Sequence, residues 1–110
     1  MTFLYLCSDR MGSGDDELGE QLMRSYLKEL AASDVSIDVV GCANSGIRLT
    51  VEGSKVIPYL RALQERGARI ATCGTCLDHH GLRDKLLIGS VGTMDQTVQV
   101  MGMADRIIRP

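Results

Sequence analysis

The sequence predicts an α/β domain built on a five-stranded, mainly parallel sheet with helices on both faces. Three observations carry this reading. Short apolar runs alternate with segments of helical period, in the order β-α-β-α-β-α-β-α-β. The first run, Thr2 to Cys7, is nearly all apolar, as a central parallel strand buried on both faces must be. The breaks between runs carry turn residues, with no linker, repeat or low-complexity tract, so a single domain spans residues 1–110.

Taken in order, Ser8 to Gly14 is a loop, and Asp15 and Asp16 open a helix with Ser13 or Asp15 as N-cap. Leu18, Leu22, Tyr26 and Leu30 recur every four residues, with Met23 and Leu27 beside them, and carry that helix to about Ala32. Ser36 to Cys42 is the second strand. Ala43 to Gly46 is turn chemistry, and Ile47 to Val51 has no decisive period. Ser54 caps a helix over Lys55 to Arg66, with Val56, Leu60 and Leu63 on one face, Pro58 in its first turn and Gly67 as C-cap. Ala68 to Thr72 is the third strand and Cys76 to Leu82 a short helix. Leu86 to Val91 is the fourth strand, Met94 to Met103 a helix, and Asp105 to Ile108 the last strand.

Composition narrows the function. Hydrophobic residues make up 45% of the chain and aromatics 4%, so the core is aliphatic. A net charge of -2 supplies no basic face for nucleic acid. No apolar run approaches the ~20 residues of a membrane span. Met1 to Leu6 is short, lacks a basic leader and reads as a strand rather than a signal peptide. The expectation is therefore a cytoplasmic protein whose four cysteines are reduced.

Half of those cysteines and both histidines fall within Cys73-Gly74-Thr75-Cys76-Leu77-Asp78-His79-His80-Gly81. This stretch directly follows the third strand. A thiol at a strand end, with a helix starting beneath it, is placed to be reactive. The free N–H groups of Gly74, Thr75 and Cys76 would stabilise a Cys73 thiolate, and Gly74 would admit a donor sulfur. Cys76 completes a Cys-x-x-Cys, as a second acceptor or redox partner of Cys73; the competing role for each thiol is a small apolar core residue. Cys73, Cys76 and His80 form a weaker metal set, because a structural zinc takes four ligands and Cys42 or Cys7 would have to join. His79 and His80 otherwise read as exposed, one lending positive charge near the thiols.

Cys7, Cys42 and Cys73 end successive strands and so share one sheet edge. With a strand order of 2-1-3-4-5, the reversal of winding falls between the first and third strands, beside Cys7 and Cys73. The loops Arg10 to Gly14 and Asn44 to Gly46 rim that edge, with Asp9, Arg10, Asn44 and Arg48 as candidate pocket groups. Cys7 and Cys42, in apolar strands, read as core. Gly12-Ser13-Gly14 resembles an anion loop, but Asp15 and Asp16 stand where a phosphate would sit.

Several pieces together resemble the DsrE/DsrF-like sulfurtransferase family, and most closely the C-terminal domain of YedF-type proteins, which are linked to selenium metabolism. They are Met11-Gly12-x-Gly14 with Leu18-Gly19, then Asn44-Ser45-Gly46-Ile47-Arg48-Leu49, then Cys73 to Asp78, Gly89 and Ala104-Asp105. The resemblance implies a flavodoxin-like three-layer domain that assembles as dimers, trimers or hexamers. In relay subunits the sulfur-accepting cysteine stands eight residues before a glycine; Cys73 stands so before Gly81. The implied function is a sulfur-relay, persulfide-carrying protein with Cys73 as acceptor and Cys76 as second thiol, without an organic cofactor. The implied partner is a TusA-like sulfur carrier or another persulfide donor. The alternatives are a non-catalytic subunit of a relay assembly and a metal- or small-ligand-binding module.

Overall fold

The computed structural model describes residues 1–110. Five strands form one all-parallel sheet: β1 (Thr2–Leu6), β2 (Val39–Cys42), β3 (Arg69–Cys73), β4 (Ser90–Gly92) and β5 (Arg106–Ile108). The helices are α1 (Asp16–Ala32), α2 (Ile57–Glu65), α3 (Gly74–His79) and α4 (Met94–Met103), with short 3-10 turns at Asn44–Leu49 and Arg83–Lys85. None of them is long and apolar enough to cross a membrane.

The strand order is 4-3-2-1-5, not the expected 2-1-3-4-5. Crossover handedness then fixes which face each helix takes. Right-handed connections that keep moving in one direction lay their helices on one face, and a reversal of direction moves the next helix to the other face. β1, β2 and β3 step in one direction, with α1 and α2 on a common face. The chain then returns through α4, on the opposite face, to set β5 beside β1. The reversal of winding therefore lies at β1, next to Cys7, and Cys73 is two strands away.

Strand alternation sorts the side chains between these layers. Leu4, Leu6, Val40, Cys42 and Ile70 face α1 and α2, where they pack with Met23, Leu27, Leu30, Leu60 and Leu63 in the main core. Phe3, Tyr5, Val39, Gly41 and Ala71 face α4 across a narrow apolar cavity. This second face is thinly covered: α4 has no buried residue, and Met94, Val98 and Met103 are each more than half exposed.

Helix ends follow their sequence signals except at the start of α2, where Val56 and not Ser54 is the N-cap and the helix opens at Ile57 rather than Lys55. The Asp15 carboxylate accepts Leu18 N–H at 2.7 Å and caps α1. Thr93 and Gln96 close a capping box on α4. Gly67, at φ 105°, ends α2 by donating to the Gln64 carbonyl. Arg66 reaches back to the carbonyls of Ser33 and Val35 just past α1.

Three expectations are corrected. The buried stripe of α1 is Gly19, Met23, Leu27 and Leu30, while Leu18 and Leu22 are exposed. The helix is rotated because Gly19 lies against Arg10: a Cβ there would stand 3.0 Å from the Arg10 Cβ. β2 begins only at Val39, because the Asp38 carboxylate takes the Thr2 N–H at 2.7 Å. β4 spans Ser90–Gly92 rather than Leu86 to Val91. Gly89, at φ 75°, breaks the run, and Leu86 and Leu87 pair antiparallel with the Thr50–Val51 segment instead.

Candidate functional site

Cys73 is the last residue of β3 and the N-cap of α3, which begins at Gly74 rather than at Cys76. Its sulfur is half-buried and accepts no hydrogen bond from the helix N–H groups. Gly74 is glycine for packing rather than for donor access. A Cβ there would stand 2.9 Å from both an Arg83 guanidinium nitrogen and a Val91 methyl. Arg83 is held by a two-pronged pair with Asp78, at 2.7 and 3.0 Å, which braces the turn after α3 and holds the Asp78 carboxyl below its usual range.

Cys76 lies in the first turn of α3, and its sulfur accepts the Asn44 N–H at 3.2 Å. Asn44 follows the end of β2 and adopts φ 51°, a left-handed conformation that asparagine tolerates better than most residues. Three contacts hold this segment in place. Gly46 packs so closely on β1 that a Cβ would stand 2.0 Å from the Leu6 carbonyl oxygen. Buried Thr50 donates to the Ile47 carbonyl at 3.1 Å and pairs with the Thr72 hydroxyl at 2.8 Å, tying the segment to β3 directly before Cys73. Leu77 of α3 packs on Ile47 and Val51. Burial pushes the Cys76 thiol up; the adjacent Cys73 thiol adds to the rise, and the Asn44 N–H opposes it.

The ladder Leu6–Cys42–Thr72 is extended by Ala43 N–H donating to the Leu6 carbonyl. Cys7, Ala43 and Cys73 therefore form the next row, facing the α4 side. Cys7 is half-buried, not core. Tyr5 stands two residues before it on the same face. Burial, and then the neighbouring Cys7 thiol, push the Tyr5 hydroxyl up. Cys42 faces the other way into the main core, where burial pushes its thiol up to about 12. Cys73 also lines the cavity under α4, about 50 Å³, bounded by Tyr5, Ala71, Thr93, Met94 and Thr97 among others.

The remaining candidates lie elsewhere. His79 ends α3 and His80 is its C-cap; both are exposed, and they pack edge to face at 4.9 Å between ring centroids. No three His, Cys, Asp or Glu side chains are grouped as a metal ion would require, so Cys73, Cys76 and His80 do not converge. Arg10 is committed to acids, at 3.2 Å from Asp16 and 3.6 Å from Asp9. Asp9 and Arg48 line a separate open cleft of about 450 Å³ with Glu17, Glu20, Arg24 and Lys55. The anion position after Gly12-Ser13-Gly14 is filled by the chain's own Asp15.

The sequence places Asn44 at the rim only as a side-chain pocket group, and Cys7 reads as core. Asn44 acts through its backbone N–H, which side-chain chemistry does not reveal. Cys7 has an apolar neighbourhood that suggests core, although its strand-end position, shared with Cys73, was the signal that it lies on the functional edge.

Comparison with known proteins bears on this arrangement. The profile described as the DsrE/DsrF-like family matches residues 38–110, which include the Asn44 segment and Cys73 to Gly81. No curated protein matches the chain. Among solved structures, it is similar to the protein of unknown function MTH1491 from Methanobacterium thermoautotrophicum. That match has 22% identity and a TM-score of 0.70, and covers 99% of this chain and 97% of the other. It is also similar to the YchN protein from E. coli, at 14% identity and a TM-score of 0.67, over 99% and 98% of the two chains. At these identities the two structures bear on the fold alone.

Proposed function

We propose that this chain, which belongs to the DsrE/DsrF-like family, relays sulfur as a persulfide on Cys73. The family is associated with sulfur relay. The observation that carries the reading is the position of Cys73: a half-buried thiol at the C-terminal end of β3, opening α3, with the Cys76 thiol beside it.

The chemistry is redox-neutral. The Cys73 thiolate attacks the outer sulfur of a donor persulfide; a new S–S bond forms on Cys73, the donor S–S bond breaks, and the donor leaves as a thiolate. An acceptor thiolate then attacks the outer sulfur and frees Cys73. The cavity beside Cys73, about 50 Å³, is larger than the ~10–15 Å³ a water molecule needs, so one extra sulfur atom fits. Cys76, whose thiol burial pushes up, serves as second acceptor rather than as the first nucleophile.

The donor in this reading is a TusA-like sulfur carrier or another protein persulfide. The resemblance to YedF-type proteins adds selenium as an alternative cargo by the same attack. The exposed apolar residues Val91, Met94, Val98, Met103 and Ile107 support assembly with further copies of the chain, as a dimer, trimer or hexamer.

The test is sulfur transfer from a small persulfide donor to an acceptor thiol, with the protein at catalytic concentration. Wild type accelerates transfer, Cys76→Ser retains at least a tenth of that acceleration, and Cys73→Ser returns it to the uncatalysed rate. Full activity in Cys73→Ser would end the proposal.

A further inference from the structure

We infer that Cys7 is the end of an internal sulfur relay, Cys73 to Cys76 to Cys7, running across the C-terminal edge of the sheet. This rests on the persulfide reading above and extends it to a third thiol.

The placement follows from the strand order. β3, β2 and β1 are consecutive in the sheet, and Cys73 and Cys7 occupy one row on one face at its outer positions. Parallel strands stand about 4.8 Å apart, so the two Cα atoms are about 10 Å apart. That exceeds the ~7 Å limit for direct bonding between cysteines. Between them the row holds only Ala43, whose methyl leaves the space above β2 open. Cys76 reaches this edge from α3: its sulfur accepts the N–H of Asn44, the residue after Ala43, and its thiol neighbours those of Cys73 and Cys7. The three thiols thus lie along one edge of the sheet and are not gathered as a metal site.

A second observation points to Cys7 as the terminus. The winding of the sheet reverses at β1, and in open α/β sheets the crevice at that reversal is where ligands sit. Cys7 is the residue that follows β1. Tyr5, on the same face, places its hydroxyl beside the Cys7 thiol, and Arg109, just past β5, lies over the Tyr5 ring at 5.8 Å. Sulfur loaded at Cys73 would therefore be delivered to the flank of the sheet where an acceptor can dock.

Each step balances without an oxidant. Cys76 sulfur attacks the outer sulfur of the Cys73 persulfide; its proton passes to Cys73 as the old S–S bond breaks, leaving a Cys76 persulfide and a Cys73 thiol. Cys7 repeats the exchange on Cys76.

The experiment is a time course of loading from a small persulfide donor, quenched by alkylation and mapped after tryptic cleavage. The peptide ending at Arg10 contains Cys7 alone, and Cys73 and Cys76 share another peptide resolved by fragmentation. In wild type, sulfur appears on Cys73 and then on Cys7. In Cys76→Ser, Cys73 still loads, and the rate at Cys7 falls at least tenfold. Loading of Cys7 at an undiminished rate in Cys76→Ser or Cys73→Ser would overturn the relay, as would loading of Cys73 without Cys7 in wild type. Absence of sulfur from all cysteines would overturn both the relay and the reading beneath it.

Discussion

Gly46→Ala is expected to destabilise the fold by about 3 kcal/mol or more and to disconnect Asn44 from Cys76. The added methyl would stand 2.0 Å from the Leu6 carbonyl oxygen, 2.8 Å from its carbon and 3.2 Å from the Ser8 nitrogen. All three are backbone atoms at the end of β1, so no side chain can swing aside. Either the Asn44–Leu49 turn lifts off the sheet or the end of β1 bends, and the Asn44 N–H moves away from the Cys76 sulfur in both cases. Gly102→Ala is the control. Nothing lies within 4 Å of its Cβ position, and alanine favours helix by up to about 1 kcal/mol. Urea midpoints of the two variants should move in opposite directions from wild type. Equal midpoints for Gly46→Ala and wild type would contradict the packing described here.

The second large effect is loss of stability in alkali. Cys42 is buried, and its thiol is pushed up to about 12, chiefly by burial and then by Cys7. The native state keeps this proton while the unfolded chain loses it near pH 8.5. The stability linked to Cys42 is therefore intact below about pH 8.5 and is lost as pH rises from there toward 12. Between pH 8 and 10.5 the loss from this one group is about 2 kcal/mol. Tyr5 and Tyr26, also pushed up by burial, add to the decline at higher pH. Cys42→Ala isolates the contribution: it starts about 1 kcal/mol less stable for lost packing, yet falls less steeply over the same range. Parallel stability–pH curves for the two proteins would show that Cys42 does not carry the effect.

Much of the fold was legible because local and global signals agree. The Asp15 cap, the Gly67 stop and the apolar strands each state their role within a few residues. What failed depended on distant partners. Leu18 and Leu22 continue the helical period yet face solvent, because Gly19 under Arg10 sets the rotation of α1. Leu86 and Leu87 look like the start of β4 but pair with the Thr50–Val51 segment, 35 positions earlier in the case of Leu86 and Val51. Strand order is a property of crossover direction, which no short stretch encodes, and its misassignment set Cys73 of β3 beside the winding reversal, from which it lies two strands away. Within the site, the spacing of Cys73 and Cys76 was readable. The Asn44 N–H and the exposure of Cys7 were not, since both arise from how β1, β2 and β3 line up.

The proposed role of Cys73 as sulfur acceptor is open to direct measurement. It is tested most directly by exposing the reduced protein briefly to a persulfide donor, then taking the intact mass and mapping the adduct in wild type, Cys73→Ser and Cys76→Ser. One added sulfur atom is expected, first on Cys73, retained in Cys76→Ser and lost in Cys73→Ser. No adduct, or one spread equally over all four cysteines from the earliest time, would contradict it.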